Sequence, residues 1–402
     1  MRQQFAHLTS FLCQYQGYWR HDPFLQVTSG EISWSALNPE LEQWIQQLSS
    51  KQTLEYKSSL ELCLKELECF FPGLEATHQS ITLMPLESGD DLELPRGLDA
   101  GIPGRKLTQI QQMTKACLHG HQGSEWLEWC SGKGFLGRLL SSQSNQHVTS
   151  FEFQHSLCES GQLDADKLGL PMEFVQGDAF DEAAAEVFND KQHAVALHAC
   201  GDLHVTLIEH AVEQHLPAVT LSPCCYHLVR GEHYSPLSDE GKRAGLALSK
   251  HELRIPLQET VTGGERVKRH REQEMSYRLG FDALCKELGL SVEYLPVPSI
   301  KKSQLASGFK AFCLWAGEKK SFTIPEVDFE RFEKIGEERF WAMEALSLVQ
   351  GVFRRPLEVW LAMDKALYLE SKGYQVTLST FCEVETTPRN ILIHAARSNN
   401  QK

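Results

Sequence analysis

Apolar residues near the start of the chain recur at helical spacing. LNPELEQWIQQLSS places Leu41, Trp44, Ile45 and Leu48 on one face, and SSLELCLKELECFF does the same with Leu60, Leu62, Leu64 and Leu67. Residues 1–96 therefore read as a helical N-terminal accessory region. The stretch SGDDLELPRGLDAGIPG gathers Gly, Pro and Asp, which favour turns and break helices, and sets a boundary near residues 88–104. Beyond it the pattern changes. A helix is predicted over 106–119, then short β-rich runs EWLEWC, VTSFEF, EFVQGD, HAVALHA and AVTLSP, separated by helix-length segments such as FLGRLLSSQ, DEAAAEVFND and LHVTLIEHAVEQH. Strands alternating with helices at this spacing predict βαβ units: an α/β fold with a parallel sheet covered on both faces.

The alternation stops after Pro223 and returns at PLEVWLAMDKALYLESKG, an amphipathic helix ended by Gly373, followed by YQVTLSTFC, the turn TTPRN and ILIHAA. Two strands joined by so short a loop must run antiparallel, because a parallel connection needs a crossover of about a dozen residues or more. The predicted organisation is thus an accessory region (1–96), a core (97–227), an inserted cap or substrate region (228–352) and a core completion (353–402). Inside the insertion, SVEYLPVP and GFKAFCLWA predict a small strand pair.

Composition narrows the classes. At 402 residues, 42% apolar and 23% charged, the chain is globular in character rather than disordered or coiled-coil. Its formal charge of −14 repels nucleic acid unless basic residues cluster locally. Such clusters exist: Arg266, Lys268, Arg269 and Arg271, then Lys301 with Lys302, then Arg354 with Arg355, although Glu272 and Glu274 flank the first. No apolar stretch approaches the roughly 20 residues that span a bilayer, and the first twenty residues lack a secretory signal pattern; no membrane association and a cytoplasmic location are expected. Twelve scattered cysteines, including the adjacent Cys224 and Cys225, read as reduced thiols.

The run EWCSGKGFLGRLL turns from strand to helix through glycines, which let a ligand approach the backbone. Gly132, Gly134 and Gly137 spell GxGxxG, and Glu152 follows at the end of the next strand, so a nicotinamide enzyme is one reading. Glu128, close to the turn, suits a cationic ligand better than a pyrophosphate. Asp178 in QGDAF stands where a carboxylate could read an adenine edge. The terminal antiparallel hairpin also departs from dinucleotide folds, which usually continue parallel.

Taken together, EWCSGKGFLGRLL, FEF, GDAF, LHACGDL and SPCCYH resemble the S-adenosylmethionine-dependent class I methyltransferases. Within them the chain is similar to the branch holding the methyltransferase-like 25 proteins, the methyltransferase domain of the glutathione S-transferase C-terminal-domain-containing proteins, and a tRNA 2′-O-methyltransferase. YQVTLSTFCEVETTPRNILI resembles that branch's terminal hairpin, with Thr387 in place of a usual Ser before Pro-Arg-Asn. The resemblance covers residues 97–227 and 352–397. It implies a Rossmann-like seven-stranded sheet with a terminal antiparallel hairpin, S-adenosyl-L-methionine as cofactor, and methyl transfer. Glu152 would take the ribose hydroxyls and Asp178 the adenine amino group, with Ala179 and Phe180 on the ring. Arg105 or Lys106 would meet the cofactor carboxylate, with Glu128, Gly132, Gly134 and His198 nearby. Cys130 replaces the first glycine of the family's loop; its side chain narrows the methionine end, and a φ below zero would accommodate it.

Ligands of open α/β sheets bind at the carboxyl edge of the strands. The fourth strand offers His198, Cys200 and Asp202 there, and the fifth offers Pro223, Cys224, Cys225, Tyr226 and His227. A thiolate nucleophile, as in cytosine-C5 RNA methyltransferases, is one reading of the cysteines; packing as small hydrophobes is the favoured one. A metal at Cys200, Cys224, Cys225 and His227 is not expected, since vicinal cysteines do not easily turn both sulfurs to one ion. Arg389 and Asn390 of the hairpin, with Arg266, Lys268 and Arg269, complete the expected acceptor contacts. Structured RNA is the expected partner. A protein or small-molecule acceptor, or a non-catalytic cofactor-binding scaffold, are the alternatives.

Overall fold

The computed structural model describes residues 1–86, 92–197, 199–258 and 264–397; His198 lies outside them. Its centre is one seven-stranded sheet: β1 (Glu125–Trp129), β2 (Val148–Glu152), β3 (Met172–Gln176), β4 (Gln192–Ala196), β5 (Ala218–Leu221), β6 (Tyr374–Thr380) and β7 (Ile391–Arg397), in the order β3-β2-β1-β4-β5-β7-β6. β1 to β5 run parallel, and β7 lies antiparallel between β5 and β6. This is the predicted Rossmann-like architecture with its terminal hairpin. β2, β4 and β5 are buried along their whole length, as apolar strands covered on both faces must be.

Four helices follow the pattern that precedes or links these strands: α1 (Gly104–His119), α2 (Phe135–Ser144), α3 (His155–Leu168) and α4 (Asp202–Glu213). Ile110 and Met113 of α1, Leu136 and Leu140 of α2, Trp126 of β1 and Val195 of β4 share one core.

The chain divides into two compact units. The first comprises Met1–Ser10, Ser80–Thr262 and Arg355–Lys402 and holds the sheet; the second comprises Phe11–Gln79 and Gly263–Arg354. In the second, α5 (Glu265–Glu287), α6 (Phe309–Lys319) and α7 (Phe329–Gly351) close around Phe281, Phe309, Phe312 and Phe332. Gly336 lets α7 approach α5 closely, because a Cβ there would lie 2.2 Å from the Ser276 carbonyl oxygen.

Two local expectations are corrected in this unit. GFKAFCLWA forms helix α6, not a strand: its buried Phe309, Phe312, Cys313 and Ala316 sit at helical spacing, and Gly308 starts the helix at φ 92°. The helix Leu60–Leu67 buries Cys63, Leu64 and Leu67 while Leu60 is exposed, so its inner face follows three-and-four spacing rather than the alternating leucines. Pro39–Gln47, capped by Asn38, buries Leu41 and Ile45 as predicted.

The segment after β5 returns to the sheet unit, where α8 (Arg354–Ser371) fastens it. Buried Asp364 accepts hydrogen bonds from Tyr234 Oη (2.6 Å), Leu237 N (2.8 Å), Ser238 N (3.0 Å) and Ser238 Oγ (2.5 Å). Its neighbour Lys365 donates to Tyr234 Oη and Leu361 O (3.2 Å each), and burial lowers its ammonium pKa to about 8. Among the described residues, no helix is long and apolar enough to cross a membrane.

Candidate active site

β1 ends in a turn in which Cys130 (φ 54°), Gly132 (φ 58°) and Gly134 (φ 67°) are all left-handed, alternating with Ser131 and Lys133. The negative φ that would accommodate Cys130 without strain is not the one it adopts: the residue is left-handed, at a cost of about 1 kcal/mol. Burial pushes its thiol up to about 12. A Cβ added at Gly132 would meet nothing within 4 Å, so the turn is open there.

Beside this turn lies a cleft of about 330 Å³ lined by Cys130, Glu152, Asp178, Ala179 and Phe180, among others. Glu152, at the end of β2, accepts from Gly132 N and Gln154 N (2.9 Å each), so two backbone amides fix its carboxylate. Asp178 Oδ1 accepts from Phe180 N (3.0 Å), which folds the loop after β3 back along the cleft. Phe180 is 39% exposed, and the Arg230 guanidinium sits 5.0 Å from its ring centroid.

Cys130 is also a wall of a second, smaller cavity, with Lys106, Glu128, Ser131 and Leu197. Lys106 comes from the first turn of α1; Arg105 precedes it and is exposed. Burial raises the Glu128 carboxyl pKa to about 7, against hydrogen bonds from Ser150 Oγ (2.9 Å) and the Leu136 and Gly137 amides. Gly137 lets the helix pass close to this carboxyl, since a Cβ there would lie 2.5 Å from Glu128 Oε2 and displace it. Ser131 Oγ is buried without a hydrogen-bond partner. An orphaned hydroxyl beside an ammonium and a buried carboxyl suits the amino-acid end of a ligand, while Glu152, Asp178 and Phe180 suit its nucleoside end.

The ends of β4 and β5 are built differently. A parallel bridge joins Cys200 to Cys224, and Gly201 (φ 60°) passes so close to the next loop that a Cβ would lie 1.9 Å from Leu228 O. Asp202, starting α4, accepts from Arg230 N (2.7 Å) and its own amide donates to Leu228 O (3.1 Å), so it ties the two loops together. Cys200 Sγ and Cys224 Sγ are 3.1 Å apart. Cys225 is left-handed (φ 42°), which turns its sulfur to the other two: all three lie within 4.8 Å of one another. The hydrogen bond with Cys224 lowers the Cys225 thiol pKa to about 5, while the same sharing raises Cys224. All twelve cysteines remain thiols.

Pro223 and Tyr226 of this loop are buried, and Tyr226 Oη and His227 Nδ1 are buried atoms without hydrogen-bond partners. Arg389 donates to Leu257 O, and its positive charge favours the Cys225 thiolate. Asn390 is buried and committed: its amide donates to Cys382 O (2.9 Å) and its carbonyl accepts from Arg355 (3.3 Å). His204, which the sequence reading did not single out, donates through Nδ1 to Ala199 O (2.6 Å); burial lowers its pKa to about 3, so it is neutral. Its place in LHACGDLH was the available signal. Lys365, whose Nζ lies 5.9 Å from the Tyr226 ring, gave none, because it reads as the solvated face of a helix. Arg266, Lys268 and Arg269 belong to the second unit, on the first turns of α5, and are exposed; Lys268 pairs with Glu265 (2.9 Å) and the nearby Arg271 with Glu344 (2.8 Å).

Residues 105–232 match a family model described as a methyltransferase domain. S-adenosylmethionine is the expected cofactor of such a domain, and the paired pockets fit it. No curated protein matches the sequence significantly. Among solved structures, the chain is similar to a Pyrococcus abyssi tRNA (uracil-54, C5)-methyltransferase in complex with S-adenosyl-L-homocysteine (18% identity over 29% of this chain and 28% of that chain, TM-score 0.25). The match therefore spans less than a third of that protein's length. It is also similar to the magnesium protoporphyrin IX methyltransferase of Synechocystis PCC 6803 (10% identity, 77% and 90% covered, TM-score 0.32) and to a Podospora anserina methyltransferase (7% identity, 77% and 91% covered, TM-score 0.33). Likenesses this distant carry no information on the acceptor.

Proposed function

We propose that the protein transfers the methyl group of S-adenosylmethionine to structured RNA. The cofactor part rests on one observation: Cys130 is a shared wall between a cleft bearing Glu152 and Asp178 and a cavity bearing Lys106, Glu128 and the orphaned Ser131 hydroxyl. Glu152 would hold the ribose hydroxyls, Asp178 the adenine amino group with Ala179 and Phe180 against the ring, Lys106 the carboxylate, and Glu128 the amino group. When bound, the cofactor supplies an electrophilic methyl group. The chain's own part is then to orient the acceptor, and orientation alone is worth about 7–11 kcal/mol of barrier. The ends of β4 and β5 would do this with Cys200, Cys224, Cys225, Tyr226 and His227.

RNA as acceptor is supported by the exposed Arg266 and Arg269 and by Lys301 and Lys302, also exposed, on an otherwise acidic chain. The ion pairs of Lys268 and Arg271 favour a second reading, a protein or small-molecule acceptor, because they neutralise part of the same cluster. Incubation of methyl-tritiated S-adenosylmethionine with a cell extract, followed by ribonuclease or protease, separates the two. Label released by ribonuclease is expected, with a salt dependence that weakens in Arg266→Gln/Arg269→Gln; label that survives ribonuclease overturns the RNA reading. No label and no S-adenosylhomocysteine released would leave a binding scaffold.

A further inference from the structure

The loops after β4 and β5, proposed above to orient the acceptor, bring together a donor set of the kind that holds a metal ion. Three sulfurs from two separate loops converge within 4.8 Å of one another. Around a tetrahedral zinc ion with bonds of about 2.3 Å, neighbouring sulfurs stand about 3.8 Å apart, so shifts of no more than about 1 Å would seat one ion among them. The backbone is arranged for this convergence. The Cys200–Cys224 bridge sets two sulfurs side by side, and the left-handed turn at Cys225 brings in the third, overcoming the tendency of adjacent side chains to point apart. Among the described residues the convergent set consists of these three sulfurs; His227, two residues further on, is not part of it.

The surroundings agree. Three thiolates and one divalent cation carry a net negative charge, and Arg389, held in place by Leu257 O, lies near enough to Cys225 to oppose it. The loops themselves are rigid, tied by Asp202 to the Leu228–Arg230 turn and backed by the Asp364 hydrogen bonds. Thiolate ligands select soft or borderline ions and exclude magnesium and calcium, which take oxygen.

We infer that Cys200, Cys224 and Cys225 form a three-thiolate binding site for a thiophilic divalent cation of the zinc class, whose fourth position is left to solvent or a ligand. Binding exchanges thiol protons for the metal ion and involves no redox change.

The test uses the full chain, reduced and freed of metal, titrated with zinc against a chromophoric chelator. One equivalent should bind tightly; Cys200→Ser, Cys224→Ser and Cys225→Ser should each weaken binding by roughly 100-fold or more, while exposed Cys69→Ser changes nothing. To separate ligand loss from unfolding of a serine variant, the wild type carries an independent readout: zinc should protect these three thiols from alkylation, mapped by mass spectrometry, while Cys69 stays reactive. Equal zinc affinity in wild type and Cys225→Ser, or alkylation of all three thiols at the same rate with and without zinc, overturns the proposal. Neither readout involves methyl transfer, so failure of the RNA reading leaves this result standing, and the reverse holds too.

Discussion

The carboxyl edge of one sheet carries two kinds of chemistry. At β1 to β3, the groups are carboxylates and backbone amides: Glu152 is fixed by Gly132 and Gln154, Asp178 by Phe180, and Glu128 by Ser150 and Gly137. At β4 and β5 they are sulfurs and imidazoles, held by loop-to-loop bonds through Asp202, Gly201 and the Cys200–Cys224 bridge. In the first half the carboxylates already have donors in place, and one group, the Ser131 hydroxyl, stays unpaired. The second half keeps its unmet needs at the reactive loop itself, in the Tyr226 hydroxyl and the His227 nitrogen. One half is thus shaped to take a fixed molecule, and the other waits for something to complete it.

The largest expected effect separates the two halves by stability. Asp364→Ala strips four hydrogen bonds from the segment behind β5 and leaves Lys365 buried without its carboxylate. Urea unfolding should show a loss of about 3–5 kcal/mol. The affinity of the remaining folded protein for S-adenosylhomocysteine should stay within about twofold; a larger loss would show that the two halves are coupled.

Glu128 gives the next effect. Its folded pKa of about 7 lies above the value of 4.5 for a solvated carboxyl, so the folded state keeps a proton that the unfolded chain releases. Stability from this group is complete below pH 4.5, falls as pH rises to about 7, and is level beyond, a total of about 3 kcal/mol. In Glu128→Gln this slope should vanish from unfolding free energies measured across that window; a slope that persists would assign it elsewhere.

Two smaller effects probe the cleft. Glu152→Ala should raise the calorimetric dissociation constant for S-adenosylhomocysteine roughly 10-fold or more, and an unchanged constant would remove it from the ribose role. Cys130→Gly should relieve the left-handed strain and stabilise the protein by about 0.5–1 kcal/mol in thermal or urea unfolding. A destabilised variant would mean that packing of the sulfur outweighs the strain.

The halves also differ in how far they could be read in advance. The β-rich runs, their helical spacers and the short terminal loop are local signals, and they led directly to the sheet and its antiparallel end. Glu152, Asp178 and the glycine turn lie at fixed offsets from those strands, so they too were legible. The sulfur cluster was legible only as three cysteines at one edge, with their convergence judged unfavourable. It depends on a bridge between residues 24 apart and on one backbone angle at Cys225, which residue type does not announce. Asp364 and Lys365 escaped for a related reason: charged residues in an amphipathic helix signal solvent, and only the fold reveals what covers them. In GFKAFCLWA, aromatic and apolar residues suggested a strand, but tertiary burial followed the helical period.

The strand order has a consequence for how the chain is made. β5 emerges from the ribosome with one edge paired to β4, but its other neighbour, β7, is made about 170 residues later. At about 5–20 residues per second that interval is on the order of ten seconds or more. During it the nascent sheet presents an open apolar edge while the whole of α5, α6 and α7 is being produced. Synthesis of β7 is therefore the event that completes the pairing of β5, and a message truncated before Ile391 would yield a chain prone to pair with its neighbours instead.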